Sequence, residues 1–367
     1  MLTRRDILRM GLVAAIGAAP TPLLAAGKRR RRPGFGFVPT APRAPFTAHN
    51  LRGETFAALR IVEPGVSITL HGCTDVRISA CELRSVLLVN CSNIRIAHCF
   101  LHDADDPAVH LDSCSDIHVQ GNRIERCSSG LYAHRCDDAS GESGGVRFIG
   151  NYVQDVTGPM PRGQMAQLDQ CTGAGHVICD NYARNLFGRS RPEDVINLHR
   201  TTGTAESPVL VQRNYIAGDP VRGTQGMSDS GSGIMLGDGG GGAVLCSDNV
   251  LINPGQVGIG VAGGGDIVVR NNRVLGRPSD VSNVGIYAWN QYEAAGRGAV
   301  TIEDNVVHWQ NRRGDDNAFW NGGGFTTVVA RGNRWDDVAL LTAIPRPPSA
   351  APFPPKPIGE RASFPWR

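Results

Sequence analysis

One short phrase of apolar and polar positions recurs along most of this chain. It reads apolar, any residue, apolar, two further residues, then asparagine, as in Ile117-His118-Val119-Gln120-Gly121-Asn122 and Val146-Arg147-Phe148-Ile149-Gly150-Asn151. The phrase closes again at Asn181, Asn214, Asn249, Asn272, Asn305 and Asn333, while Val76 to Cys81 and Ile94 to Cys99 put cysteine in the closing place. Intervals run from 18 residues (81 to 99) to 35 (214 to 249). Alternation with period two predicts short strands, and one residue type closing all of them predicts the same turn each time. Antiparallel sandwich strands have no reason to repeat that turn residue. Stacked coils do, with parallel strands about 4.8 Å apart in neighbouring coils. Inward asparagine amides then hydrogen-bond backbone groups and one another. Cysteine is small and apolar enough to take the same place.

The strand preceding each phrase can be aligned coil by coil. The series is Ile68-Thr69-Leu70-His71, Val86-Leu87-Leu88-Val89, Val109-His110-Leu111-Asp112, Leu131-Tyr132-Ala133-His134, Ala166-Gln167-Leu168-Asp169 and Ile196-Asn197-Leu198-His199. It continues as Ile234-Met235-Leu236-Gly237, Ile259-Gly260-Val261-Ala262 and Ile286-Tyr287-Ala288-Trp289. First and third positions are almost all aliphatic and face inward, so second and fourth positions face out. The outward set on four consecutive coils is His110, Asp112, Tyr132, His134, Gln167, Asp169, Asn197 and His199, with Tyr287 and Trp289 further along. Imidazoles, carboxylates and amides continued by aromatic rings suit an extended sugar chain. The long insertions Gly158 to Gln164, Arg189 to Asp194 and Asp219 to Ser232 fall in the same coils and supply groove walls. The glycines at 237–242 and 263–265 read as tight turns.

This pattern resembles the right-handed parallel β-helix proteins of the pectate-lyase-like superfamily, over roughly Ile61 to Asp337. The resemblance implies an all-β, single-stranded right-handed parallel β-helix, a solenoid of about ten coils. It leaves the chemistry open, because that fold carries lyases, hydrolases, epimerases and non-catalytic adhesins.

Composition agrees with many short strands and glycine-rich turns. Glycine is 46 of 367 residues, charged residues are 19% and hydrophobic residues 41%, which excludes a disordered chain or a long-helix bundle. Residues 1–26 read as a twin-arginine export signal, from Thr3-Arg4-Arg5-Asp6-Ile7-Leu8 through an apolar stretch to Leu24-Ala25-Ala26. That predicts a periplasmic or secreted protein with no membrane anchor after cleavage; the expected oligomeric state is a monomer. Residues 27–50 form a basic, Pro- and Gly-bearing leader, 51–340 the β-helix, and 341–367 an extended tail with eight of the 23 prolines. Cleaving the signal lowers the formal charge from +3 to +1, and setting aside Lys28 and Arg29 to Arg32 leaves a body near −4. A mildly acidic body is not a nucleic-acid binder.

Ten cysteines in an exported chain raise the question of disulfides. Cys73, Cys91, Cys114, Cys136 and Cys171 each follow a face strand, however, and form a second stack of core fillers. No Cys-x-x-Cys pair offers a zinc site.

Two chemistries compete on the outward face. Elimination or epimerisation on a uronic-acid polymer needs a base for the C5 proton, an acid and a cation against the carboxylate. His134 or His199 is the candidate base, Tyr132 the acid and Arg200 the carboxylate clamp. Arg135, His110, Gln167, Asn197, Tyr287 and Trp289 are candidate substrate contacts. The resemblance brings calcium as a cofactor, for which Glu193, Asp194 and Asp169 are the nearest carboxylates, although no dedicated calcium motif is present. Inverting hydrolysis would instead use Asp112 and Asp169, two coils and about 9.5 Å apart, at the upper edge of the window that admits a water. Asp103, Asp105 and Asp106 form a further acidic cluster before Pro107. A non-catalytic glycan-binding or envelope protein would keep the aromatic rings and need none of the histidines.

Overall fold

The computed structural model describes residues 41–137, 144–186, 188–218, 231–292 and 298–344. The export signal, residues 27–40 of the leader, most of the 219–232 insertion and tail residues 345–367 lie outside them. The chain winds as a right-handed parallel β-helix in which every strand pairing between coils is parallel. Among the described residues one sheet has 11 strands and the other 21. The larger sheet holds two strand series, the face strands and the repeat-phrase strands, and Ser232–Ser247 runs through both without a break.

The fold follows from the alternation. Ile68, Leu70, Val86, Leu88, Val109 and Leu111 are fully buried, while the residues between them stay partly open. Their inward side chains join one continuous core with those of the phrase strands, such as Ile117, Val119 and Phe148. The first coil begins earlier than the sequence suggests. Phe46–His49, within the expected leader, pairs with Ile68–His71. A short helix, Leu340–Ala343, follows the last coil. No helix among the described residues is long and apolar enough to cross a membrane.

Two internal stacks hold successive coils in register. In the asparagine stack, Asn151 Oδ1 accepts from the Asn122 backbone N–H at 2.9 Å and from Asn122 Nδ2 at 3.0 Å. Asn122 Nδ2 also donates to the Ile96 carbonyl at 3.0 Å. The same set recurs through Asn181, Asn214, Asn249, Asn272, Asn305 and Asn333. Cys99 heads the asparagines, its N–H donating to Asn122 Oδ1.

All ten cysteines are buried and free. The Cys73 and Cys91 N–H groups donate to Cys91 and Cys114 Sγ, both at 3.4 Å, and Thr201 takes over the role beyond Cys171. Burial pushes the Cys127 thiol up to about 12, so it stays protonated and unreactive at neutral pH.

Candidate active site

The outward chemistry sits on five neighbouring strands: β1 (Val109–Asp112), β2 (Leu131–His134), β3 (Ala166–Asp169), β4 (Ile196–Thr202) and β5 (Ser232–Ser247). Their register places His110, Tyr132, Gln167, Asn197 and Met235 in one row, and Asp112, His134, Asp169, His199 and Asp238 in the next. The face continues through β6 (Val257–Val261), β7 (Val284–Trp289) and β8 (Phe319–Gly323), bringing Tyr287 and Trp289 onto the same wall.

Acids and bases alternate along the second row, so neighbours across coils pair. Asp169 Oδ1 lies 2.6 Å from His199 Nδ1, and Asp169 Oδ2 accepts from the Tyr132 hydroxyl at 2.9 Å. Burial works to raise the Asp169 carboxyl, but the bonds from His199 and Tyr132 outweigh it and the net shift is downward. Burial, then the hydrogen bond to Asp169, raises the Tyr132 phenol and keeps it protonated. His134 Nδ1 faces Asp112 Oδ1 at 3.4 Å, a looser copy of the same pair. His110 is held below its ordinary value, first by burial and then by the charge of Arg162.

Arg135 and Arg200 follow β2's last residue and fall on β4 just past His199, and both have left-handed backbone, with φ of 51° and 48°. The strand alternation alone would turn them inward. The left-handed corner leaves both side chains exposed at the rim.

Several expectations change. Asn197 is only 2% exposed, and its amide donates to Asp194 Oδ2 at 2.7 Å and to Asp238 Oδ2 at 3.1 Å, so it braces acids and is closed to a sugar. Tyr287 is 5% exposed beneath Met235, Trp320 and Gln291, leaving Trp289, half-buried, as the more open of the two rings. Gln167 is covered too, accepting from Arg162 at 3.1 Å.

Glycines 237–242 do not form a turn. They lie inside β5, where a register shift puts Asp238, and not Gly237, opposite His199. A Cβ at Gly237 would stand 2.1 Å from the Gly263 carbonyl, so glycine is what permits the irregular strand. Asp103 lies in a strand of the other sheet, tied to Arg126 and His102, and takes no part.

The calcium trio does not assemble. Glu193 and Asp194 are turned to Gln164, Ser232 and Asn197, while Asp169 is turned to Tyr132 and His199. Among the described residues no three His, Cys, Asp or Glu side chains form a metal-ligand group.

Four residues escaped the sequence reading. Asp238 hid in the glycine run, whose one acid was the available signal. Tyr292 donates to Asp238 from beyond the strand end. Trp320, 45% exposed, meets Trp289 with ring centroids 5.4 Å apart. Arg162, on the 158–164 insertion, lays its guanidinium 3.5 Å above the Tyr132 ring.

No protein-family model and no curated protein matches the sequence. Among solved structures the chain is similar to a double mutant of the periplasmic alginate epimerase AlgG, at 11% identity and TM-score 0.48, covering 79% of this chain and 76% of that one. It is also similar to the catalytic domain of a GH87 alpha-1,3-glucanase (12%, TM-score 0.42, covering 80% and 58%). A third is PfbA, a surface adhesin of Streptococcus pneumoniae (9%, TM-score 0.36, covering 80% and 84%). At such identities the likeness speaks to fold alone, and these structures span several functions.

Proposed function

We propose that this chain acts on a polysaccharide rich in uronic acid, abstracting the C5 proton in an elimination or an epimerisation. The observation that carries the reading is Asp169, which holds His199 by one oxygen and Tyr132 by the other. A carboxylate at Nδ1 takes that N–H and leaves the Nε2 lone pair as a base. Nε2 faces Gly239, where even a Cβ would stand 2.9 Å away, so the missing side chain keeps the base accessible.

In this scheme His199 Nε2 takes the proton from C5, and a rim guanidinium, Arg200 or Arg135, neutralises the carboxylate as charge develops on it. In elimination the pair left on C5 forms the C4–C5 double bond as the C4–O4 bond breaks, its own pair leaving on O4, which Tyr132 protonates. In epimerisation Tyr132 returns a proton to C5 from the opposite face. Asp169 touches both the imidazolium and the phenolate, so one proton passed between them restores the resting state. Trp289 and Trp320 offer ring faces to sugars bound several coils away.

Inverting hydrolysis fits less well. Asp169, one of the two carboxylates it would need, is held ionised by its two donors and is committed to His199 and Tyr132. Export through the twin-arginine segment belongs to the same proposal.

The test is incubation with uronate and neutral polysaccharides in D2O. Deuterium at C5, or an unsaturated product absorbing in the ultraviolet, is the expected result. New reducing ends on a neutral polymer, with no exchange and no absorbance, would overturn it.

A further inference from the structure

The rim arginines were legible as strand-end residues, but the cation closest to the buried tyrosine comes from an insertion. We infer that Arg162 is a specificity-determining contact that grips a substrate carboxylate through the Nε and Nη2 edge of its guanidinium. This rests on the uronate reading above and adds a residue and a geometry to it.

The hydrogen bonds of Arg162 set the argument. Its side chain donates to the Pro161 carbonyl at 3.3 Å and to Gln167 Oε1 at 3.1 Å, and both bonds use Nη1. Apart from its approach to the Tyr132 hydroxyl, the guanidinium makes no further hydrogen bond among the described residues, and no carboxylate among them pairs with it. One face of the guanidinium is stacked on Tyr132. Among the described residues no carbonyl or carboxylate occupies the Nε and Nη2 edge, the edge that receives a carboxylate through two parallel hydrogen bonds. A purely structural arginine, half-buried as this one is, would normally have its donors engaged.

The loop is also built to hold that edge still. The backbone N–H groups of Gly163 and Gln164 both donate to the buried Ser129 hydroxyl, at 3.0 and 3.3 Å. Gln164, fully buried, donates from Nε2 to the Pro161 carbonyl at 2.9 Å and to Glu193 Oε2 at 3.0 Å, while the Ser129 hydroxyl donates to its Oε1. A Cβ at Gly163 would stand 2.4 Å from the Arg191 carbonyl, so the backbone there is packed tight. The guanidinium is thus fixed beside Tyr132 before any ligand arrives, which lowers the ordering cost of binding. Arg135 and Arg200 stand at the far ends of the same strands, so anionic sugars would meet positive charge on both sides of the histidine row.

The experiment measures binding by calorimetry, using acidic oligosaccharides and the same oligosaccharides with their carboxyl groups reduced to alcohols. Wild-type protein is expected to prefer the acidic set by roughly tenfold or more. Arg162→Gln should abolish most of that preference while leaving affinity for the reduced set unchanged, and Arg162→Lys should restore only part of it. Gln167→Met frees the guanidinium without removing its charge, and a loss of about threefold is expected there, which keeps the test usable if Arg162→Gln does not fold. A wild-type-like preference in both Arg162→Gln and Gln167→Met would overturn the role of Arg162 and leave the uronate reading standing. A wild-type protein with no preference for the acidic set would overturn both.

Discussion

The asparagine stack and the outward face are built on the same coil repeat, yet they use hydrogen bonds in opposite ways. In the stack each rung carries the same residue, and its amide serves as both donor and acceptor. Every rung therefore satisfies the next, and Asn122 through Asn305 are buried with their polar atoms matched. On the face each rung carries a different residue, and neighbours satisfy one another as acid and base, as Asp169 does with His199. Those groups keep an unused edge toward solvent. Identical rungs make a frame; complementary rungs make a site.

The sharpest way to break this contrast is at His199. His199→Ala should lower turnover by at least ~10³-fold, since a positioned base supplies about 10²–10⁴ and its loss also strands Asp169 and Tyr132. Circular dichroism and the denaturation midpoint should stay as in wild type. A collapse of the fold would mean the face, too, is frame.

Next comes Asn214→Ala. It leaves the Asn181 N–H, the Ile178 carbonyl and Asn249 Oδ1 short of partners in the interior, at a cost on the order of 3 kcal/mol in chemical denaturation. Asn214→Cys should cost less, because cysteine already fills this place at residues 81 and 99. Equal losses for both would show that a thiol does not take over the amide's place, and a negligible loss in Asn214→Ala would show that the amide network contributes little.

The smallest expected effect concerns pH. Burial, and then Asp194, pushes the Glu193 carboxyl up to about 8. Between the ordinary carboxylate range near 4.3 and that value, the folded chain binds a proton the unfolded chain does not. This contribution to stability is present at low pH and lost as pH rises through that window. The asparagine stack has no titrating group, so the denaturation midpoint should fall from pH 5 to pH 8, and Glu193→Gln should flatten the slope. An unchanged slope in the variant would place the titration elsewhere.

How far the sequence carried depended on whether a residue obeyed the repeat. The rows holding His134 and His199 sit in regular strands, where period two decides which way a side chain points, and Asn122 to Asn333 sit at the turn that closes each phrase, one position repeated coil after coil. Asp238 broke that rule, because the strand slips by a residue inside a glycine run and swings an acid to the His199 position. Arg162 was invisible for another reason. Its place is set by Ser129 and Gln164, contacts between distant residues that no local periodicity encodes. Burial of Asn197 and Tyr287 likewise depends on what lies over them.

The asparagine rungs pair as closely across 35 residues of intervening chain as across 23. Whatever is inserted between two rungs leaves their bond lengths the same, so the spine is insulated from changes in the walls. The more open part of a wall segment, such as 159–162, could be exchanged for another of different length or charge, altering which sugars are accepted, while Gly163 and Gln164 stayed anchored to Ser129 and the scaffold kept its shape.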